Sequence, residues 1–274
     1  MGSQTVLTKL HQLSEQARKH PHRVFTTLHH LIDIDFLREV YRLTRKDAAA
    51  GVDNVTADQY AEHLDANLED LYHRYKTNRY KAPPVKRVWI TKDNKSQRPI
   101  GIPAFEDKIL QRAIAMLLSA IYEVDFHDFS YGFRAKQSAH GALKSLRDAC
   151  SKTKVSTIID ADVSKFFDNM PHKEIHDILR KRVNDGKIHR FIGKWLNAGV
   201  VENENIHYPD CGSPQGGCIS PLIANIFLHH VLDGWFINEV RPRLHGRCFL
   251  IRFADDCVPR RRTEVLCTSC SYAA

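Results

Sequence analysis

The sequence predicts an α+β protein, because helix-type and strand-type hydrophobic patterns both occur and are interleaved. Helical patterns fill the first 80 residues, and strand-like runs begin at Val85 and recur late in the chain. The 274 residues are 43% apolar and 26% charged, which excludes collagen-like, low-complexity and wholly disordered classes. This length suggests about two compact units.

Two helices with a buried face are predicted before residue 80. Asp35 is placed to cap the first of them, whose apolar face consists of Leu37, Val40 and Tyr41. Thr56 and Gln59 have the form of a capping box. The apolar stripe of this second helix contains Tyr60, Leu64, Leu68 and Leu71.

Two short β-like runs, 85–91 and 98–103, are separated by turn-prone residues and predict a hairpin. Six cations around this hairpin face a single acid, Asp93; they are Lys81, Lys86, Arg87, Lys92, Lys95 and Arg98. Such a set can hold a polyphosphate or a nucleic acid backbone, and it can also be a solvated face.

The remaining elements follow in order. A long helix is predicted next, with a buried face of Ile109, Ala113, Leu117 and Ile121. A β-rich run at 155–163 and a helix at 172–183 come after it. Ser220 and Pro221 have the form of a helix start, and a final strand at 247–253 leads into Asp255 and Asp256.

Acidic residues at the ends of two apolar strands are the first candidates for chemistry. Asp160 and Asp162 share one face of their strand by the period-two rule, while Asp255 and Asp256 follow the second strand. If the strands are neighbours, the crowded carboxylates require protonation or a cation. Two Mg²⁺ ions about 3.5–4 Å apart suit such ligands and support phosphoryl transfer. The alternative is an ordinary turn and a solvated strand end.

Two further segments allow both a functional and a structural interpretation. The glycine-rich loop 212–217 leads into a helix, so its backbone could approach a ligand or could form a tight loop. The segment 130–134 places two aromatic rings beside Arg134, which suits base stacking and core packing equally.

Charge and cysteine usage indicate the partner and the compartment. A net charge of +8 favours a polyanionic partner, with scattered solubilising charge as the alternative. The seven cysteines are odd in number and scattered, so we expect reduced thiols and a cytoplasmic location. Cys267 and Cys270 have zinc-like spacing without a second pair. No apolar run is long enough to span a bilayer.

Several of these segments, in this order, closely resemble the reverse transcriptases encoded by group II introns, also called intron maturases. The resemblance runs from about residue 6 to Val258. Two departures are Asn54, where glycine is usual, and Phe253, where tyrosine is usual. The segments that carry it are 51–56, Lys92 with 98–103, 130–134, 161–163 with 166–169, 213–217 with 219–221, and 253–256.

This resemblance implies a right-hand polymerase fold with fingers and a partial palm, whose antiparallel sheet carries the catalytic acids, and with the thumb absent. The implied division is an N-terminal helical fingers extension at 1–80, fingers at 81–154, a partial palm at 155–258 and a divergent tail at 259–274. The implied partners are an RNA template, intron RNA, a DNA primer and deoxynucleoside triphosphates.

The resemblance also implies roles for individual residues. Asp162, Asp255 and Asp256 match the catalytic acids that bind two Mg²⁺ ions, whereas Asp160 and Asp168 match positions that bind no metal. The remaining matches concern the substrate. Lys92 and Arg98 match residues that bind the incoming triphosphate. Phe167 matches the ring that crowds the ribose 2′-OH, and Gln215 matches a residue close to the nascent base pair. A core phenylalanine is the alternative for Phe167.

Beyond Val258 the chain resembles nothing in this family, and a truncated or frameshifted reading frame is the simplest expectation. Residues 259–262 run Pro-Arg-Arg-Arg, so half of the hairpin around Asp255 and Asp256 is expected to be missing. The predicted function is therefore an RNA-directed DNA polymerase impaired by truncation. The alternatives are a non-catalytic intron-RNA-binding remnant and an inactive fragment.

Overall fold

The computed structural model of the chain describes residues 2–91, 97–152, 157–161, 163, 166–202, 205–208, 211–212, 216–244 and 248–261. The chain forms two compact units, each built from two separate stretches. Unit 1 comprises Met1–Asp125 and Lys165–Phe227, and unit 2 comprises Phe126–Ser164 and Leu228–Ala274. The α+β class is confirmed. The division into four consecutive regions stays a prediction.

Helices predominate at the start of the described residues, and strands are interleaved with helices from β1 onward. The helices are α1 (Gly2–Lys19), α2 (Ile34–Leu43), α3 (Ala57–Glu62), α4 (Leu64–Lys76), α5 (Phe105–Asp125), α6 (Ala139–Lys152), α7 (Phe166–Asn169), α8 (His172–Arg180), α9 (Gly186–Leu196), α10 (Ser220–Leu228) and α11 (Arg241–Arg243). The strands are β1 (Val85–Thr91), β2 (Gln97–Ile102), β3 (Thr157–Ile158), β4 (Val200–Glu202), β5 (Asn205–His207), β6 (Phe249–Phe253) and β7 (Asp256–Arg261). A 3₁₀ turn (His29–Leu31) and two π-helical segments (His229–Asp233 and Phe236–Val240) complete the set. None of the helices described is both long and apolar enough to cross a bilayer.

Each unit has its own sheet. In unit 1 the strand order is β2-β1-β4-β5, and the predicted hairpin is confirmed by the antiparallel pairing of β1 with β2. Strand β4 joins the other side of β1 in parallel orientation. In unit 2 the order is β3-β7-β6, with both pairs antiparallel.

Helix α5 is the centre of the unit 1 core. Its predicted buried residues Ile109, Ala113, Leu117 and Ile121 are all fully buried. Apolar side chains at helical spacing leave water together when the helix packs, and each buried isoleucine or leucine contributes about 1.5–3 kcal/mol. The long helix that the sequence predicts is therefore confirmed.

Helix capping is confirmed at one predicted position and wrong at the other. The Thr56 hydroxyl accepts a hydrogen bond from the Gln59 backbone N–H, and the Gln59 side chain accepts one from the Thr56 N–H. Asp35, however, lies inside α2, and Asp33 is its N-cap, accepting from the Phe36 N–H at 2.9 Å. A cap needs extended backbone, and Asp33 has it.

The expected loss of half the second hairpin is also wrong. Strand β7 pairs with β6 from Phe253↔Asp256 to Phe249↔Arg260. Backbone groups form the ladder, so arginine side chains do not prevent it. Pro259, which has no N–H to donate, occupies the position opposite Leu250.

A buried arginine joins three parts of unit 1. The Arg182 guanidinium donates to both carboxylate oxygens of Asp125, at 2.7 and 3.1 Å. It also donates to the carbonyl oxygens of Ala17, His20 and Arg23, at 2.7–2.9 Å. The Arg182 side chain is only 6% exposed. It thus satisfies the Ala17 carbonyl, which has no intrahelical partner in the last turn of α1, and two carbonyls just beyond the helix.

Candidate active site

The turn between β6 and β7 carries two of the three predicted metal ligands. Phe253 pairs with Asp256, so Ala254 and Asp255 are the two central residues of the turn. Ala254 has a φ of 57°, a left-handed conformation that alanine rarely adopts. Asp255 is half-buried and Asp256 is exposed, so both carboxylates retain access to solvent. Asp255 lies in the turn and Asp256 begins β7. This position is compatible with a metal site and with an ordinary turn.

Strand β3 approaches this turn in a continuous antiparallel register. Thr157 and Ile158 pair with Arg261 and Arg260 of β7. Further along, Ala161 pairs with Cys257 through two backbone hydrogen bonds of 3.0 and 2.9 Å. The residue that precedes Asp162 in sequence is therefore hydrogen-bonded to the residue that follows Asp256.

Some of the other predicted site residues lie outside the described residues, and two further acids are exposed. Asp162 lies outside the described residues, and so do Lys92 and Gln215. Asp160 is exposed beside β3, and Asp168 is exposed in α7 of unit 1.

The segment 130–134 supports the turn through its backbone. The Tyr131 N–H donates to the Arg252 carbonyl at 2.8 Å, and the Arg252 N–H donates to the Phe129 carbonyl at 2.9 Å. A methyl group on Gly132 would lie 2.2 Å from the Ala254 nitrogen. Gly132 therefore allows two backbones to touch at the turn.

The aromatic residues of this segment differ in their surroundings. The Tyr131 hydroxyl is hydrogen-bonded to Ser145 of α6 at 2.7 Å. The Phe133 ring is 58% exposed, and its φ of 54° is unusual for a bulky residue. Arg134 donates to the carbonyls of His127 and Ser130. Core packing thus accounts for part of the segment and leaves the Phe133 ring open to solvent.

A fully buried ion pair lies directly behind the turn. Arg252 Nε and Nη2 donate to the two carboxylate oxygens of Asp233, at 2.8 and 2.7 Å, and both side chains are 0% exposed. Arg252 Nη1 donates to the Ala254 carbonyl at 3.0 Å. This pair was not predicted from the sequence. The available signal was a single arginine inside an otherwise apolar strand.

One histidine lies near the carboxylate of this pair, and a second histidine ring packs against the first. His229 Nδ1 lies 3.8 Å from Asp233 Oδ2, and the His127 ring lies 4.9 Å from that of His229. Burial works against ionisation of Asp233, but its interactions with His229 and Arg252 prevail and hold the Asp233 pKa below its ordinary value. Burial, reinforced by His229, lowers the pKa of His127. The pair is therefore ionised at neutral pH.

The basic hairpin of unit 1 is partly neutralised. Arg87 donates to Glu202 of β4 at 3.1 Å, and Trp89 donates to the same carboxylate at 2.8 Å. Arg98 and Lys81 are exposed. Lys95 lies outside the described residues. From the sequence, Asp93 was the single acid opposing the cations of the hairpin. Glu202 was not counted, because it is distant in sequence.

Phe167 and two glycines of the glycine-rich loop, Gly212 and Gly216, are closely packed in unit 1. The Phe167 ring is 7% exposed and lies edge-on to Phe166 at 5.6 Å. A methyl group on Gly212 would lie 2.8 Å from the Phe167 carbonyl oxygen, and one on Gly216 would lie 2.2 Å from the Gly101 oxygen. Both glycines have positive φ. Close packing within the protein accounts for these two glycines.

The donor set at the turn fits a hard divalent cation. Asp255 and Asp256 offer carboxylate oxygens with access to solvent, and carboxylates together with water satisfy Mg²⁺. Among the residues that the structure describes, no three His, Cys, Asp or Glu side chains are close enough to hold a metal ion. The third predicted ligand, Asp162, lies outside the described residues and is therefore not among these side chains.

Comparison with known proteins gives a consistent result. The family model described as "Reverse transcriptase (RNA-dependent DNA polymerase)" matches residues 90–262. The "Group II intron-encoded protein LtrA" of Lactococcus lactis subsp. cremoris is 34% identical over 81% of this chain and 37% of its own length. "Protein YkfC" of Escherichia coli (strain K12) is 34% identical over 78% of this chain and 55% of its own.

A fungal relative and a solved structure extend this comparison. The "Uncharacterized 91 kDa protein in cob intron" of Schizosaccharomyces pombe is 30% identical over 86% of this chain and 29% of its own length. The solved "Partial Cas6-RT-Cas1--Cas2 complex" aligns with 83% of this chain and 37% of its own chain, at 19% identity and a TM-score of 0.48. This chain therefore spans 29–55% of the length of these three curated relatives.

Proposed function

We propose that this chain, which belongs to the reverse transcriptase family and to its group II intron-encoded type, catalyses RNA-directed DNA synthesis. In this reaction a primer 3′-OH attacks the α-phosphate of a deoxynucleoside triphosphate, and pyrophosphate leaves. The proposed partners are an RNA template, a DNA primer and intron RNA. Reverse transcriptases as a family use divalent metal ions.

One observation supports this proposal above the others. The backbone beside Asp162 is paired, through Ala161 and Cys257, with the backbone beside Asp256. Asp256 thus belongs to the small sheet of unit 2, and Ala161, which precedes Asp162 in sequence, is bridged to the same strand. Carboxylates that share such a location repel one another unless a cation neutralises them.

The proposed metal ligands are Asp162, Asp255 and Asp256. A pair of Mg²⁺ ions bound there would activate the attacking oxygen and stabilise the leaving oxygen. The chain's own contribution is to hold Asp255 and Asp256 at a turn that is fixed by neighbouring backbone, so that little reorganisation is needed during the reaction. The strained Ala254 and its neighbour Gly132 determine where that turn lies.

The substrate roles of the remaining residues extend the proposal. Arg98, exposed on β2, and Lys92 are proposed to bind the triphosphate of the incoming nucleotide, for which a guanidinium offers paired hydrogen bonds. Phe167 is proposed to exclude the ribose 2′-OH, and its rigid packing against Phe166 suits a steric role. Gln215 is proposed to lie near the nascent base pair.

Primer extension on an RNA template tests the function. We expect the unmodified chain to extend a DNA primer in the presence of Mg²⁺, and Asp255→Ala to lower the rate by about 1,000-fold or more, since a metal ligand acts in the transition state. The matched control is Asp160→Asn, an exposed acid outside the proposed metal set.

Full activity of Asp255→Ala would contradict the assignment. Filter binding at several salt concentrations separates the alternatives. RNA binding that weakens with salt, without any extension, would identify a non-catalytic RNA-binding module. A chain that neither extends primers nor binds RNA would be an inactive fragment.

A further inference from the structure

We propose that the buried Arg252–Asp233 ion pair positions the turn that carries Asp255 and Asp256. Arg252 is then a positioning residue for nucleotide transfer: it touches neither substrate nor metal and acts through the backbone of the turn. This inference rests on the proposed function, because the turn has this importance only if its carboxylates bind the catalytic metal.

The geometry of the guanidinium carries the argument. Two of its nitrogens, Nε and Nη2, are held by the Asp233 carboxylate, and the third, Nη1, donates to the Ala254 carbonyl. A planar guanidinium fixes the directions of all its donors once two are bound. The Ala254 carbonyl belongs to the peptide group that joins Ala254 to Asp255, so the hydrogen bond acts directly on the backbone of a proposed metal ligand.

Both residues of this ion pair, Arg252 and Asp233, are themselves held in place by other contacts. The Arg252 backbone is hydrogen-bonded to the Phe129 and Tyr131 backbones. Asp233 ends the π-helical segment His229–Asp233 and is fully buried. A displacement of the turn would therefore have to break contacts at a buried charge, which is costly in the low-dielectric interior.

Stability alone is a weak explanation for this pair. Buried ion pairs often contribute no more to stability than apolar residues of similar volume would. The Ala254 carbonyl, however, needs a directional donor, and an apolar side chain cannot supply one. Since Ala254 holds an unfavourable φ of 57°, the turn also needs an external contact to keep its conformation.

Two variants remove the positioning and avoid an unpaired buried charge. Arg252→Lys keeps the positive charge opposite Asp233 but loses the planar guanidinium, which binds Asp233 and the Ala254 carbonyl together. The double variant Arg252→Gln with Asp233→Asn removes both charges and keeps polar side chains. The control is Phe236→Leu, in the apolar cluster of Phe236, Leu250 and Cys257. This substitution lowers the stability of unit 2 and leaves the Arg252 guanidinium and its partners unchanged.

Hydrogen exchange and primer extension are then compared among these proteins. In both positioning variants we expect amide exchange at residues 254–257 to rise by about 10-fold or more relative to the control. We expect kcat for extension to fall by about 100-fold, with KM for the deoxynucleotide nearly unchanged. The Mg²⁺ concentration for half-maximal activity should rise in these variants and stay constant in Phe236→Leu.

Each outcome decides the inference. Changes in exchange and Mg²⁺ dependence no larger than those of Phe236→Leu would overturn it, and so would faster exchange with unaltered kcat. If the unmodified chain fails to extend a primer, the proposed function fails, and the exchange comparison alone decides whether Arg252 holds the turn.

Discussion

Primer extension by Gly132→Ala is expected to fall by about 100-fold or more, because the added methyl group displaces the turn that carries Asp255 and Asp256. That methyl group would lie 2.2 Å from the Ala254 nitrogen and 2.9 Å from its Cα. Neither atom belongs to a flexible side chain, so the backbone itself must move. Overpacking of this kind also lowers the free energy of unfolding by about 1–3 kcal/mol.

Gly141→Ala is the matched control for this prediction. Gly141 lies nine positions further along the same unit, in α6, and the nearest atoms to a methyl group there would be the Ser138 hydroxyl at 3.4 Å and the Tyr131 ring at 3.6 Å. Its extension rate should equal that of the unmodified chain. Equal rates for both alanine variants would show that the turn tolerates displacement, contrary to our account.

Arg182→Ala is expected to cause the largest loss of stability, about 3–5 kcal/mol, because it leaves the Asp125 charge and several carbonyls without their donor. Arg182→Lys should recover only part of this loss, since an ammonium cannot reach a carboxylate and three carbonyls together. Urea denaturation followed by circular dichroism measures both effects.

Arg180→Ala, two residues earlier, is the control for the same measurement. Arg180 pairs with Asp177 on the surface of α8, and its side chain is 51% exposed. Exposed pairs of this kind contribute about 0–1 kcal/mol. A loss for Arg182→Ala no greater than that for Arg180→Ala would refute the buried network as a stabilising element.

Local patterns in the sequence predicted the elements whose causes are local. The buried stripe of α5 follows from 3.6-residue spacing, and the Thr56 capping box follows from two side chains three positions apart. The β1–β2 hairpin was equally accessible from its two runs and turn. Asp33 and Asp35 are both acceptable caps by residue type, so only the backbone conformation decides between them.

Long-range contacts account for what the sequence did not reveal. Strand β7 forms although its residues are poor strand formers, because β6 and β3 pair with it on both sides. Arg252 and Asp233 are 19 positions apart, on a strand and a π-helical segment, and no periodicity relates them. The match of Asp255 and Asp256 to catalytic acids came from family resemblance, and only the structure relates Gly132 to their turn.

Binding of Mn²⁺, followed by electron paramagnetic resonance, tests most directly whether Asp162, Asp255 and Asp256 form one metal site. We predict that the unmodified chain binds Mn²⁺ and that replacing any one of these acids with asparagine weakens binding by about 10-fold or more, whereas Asp160→Asn does not. Unchanged Mn²⁺ affinity in all three variants would contradict the account.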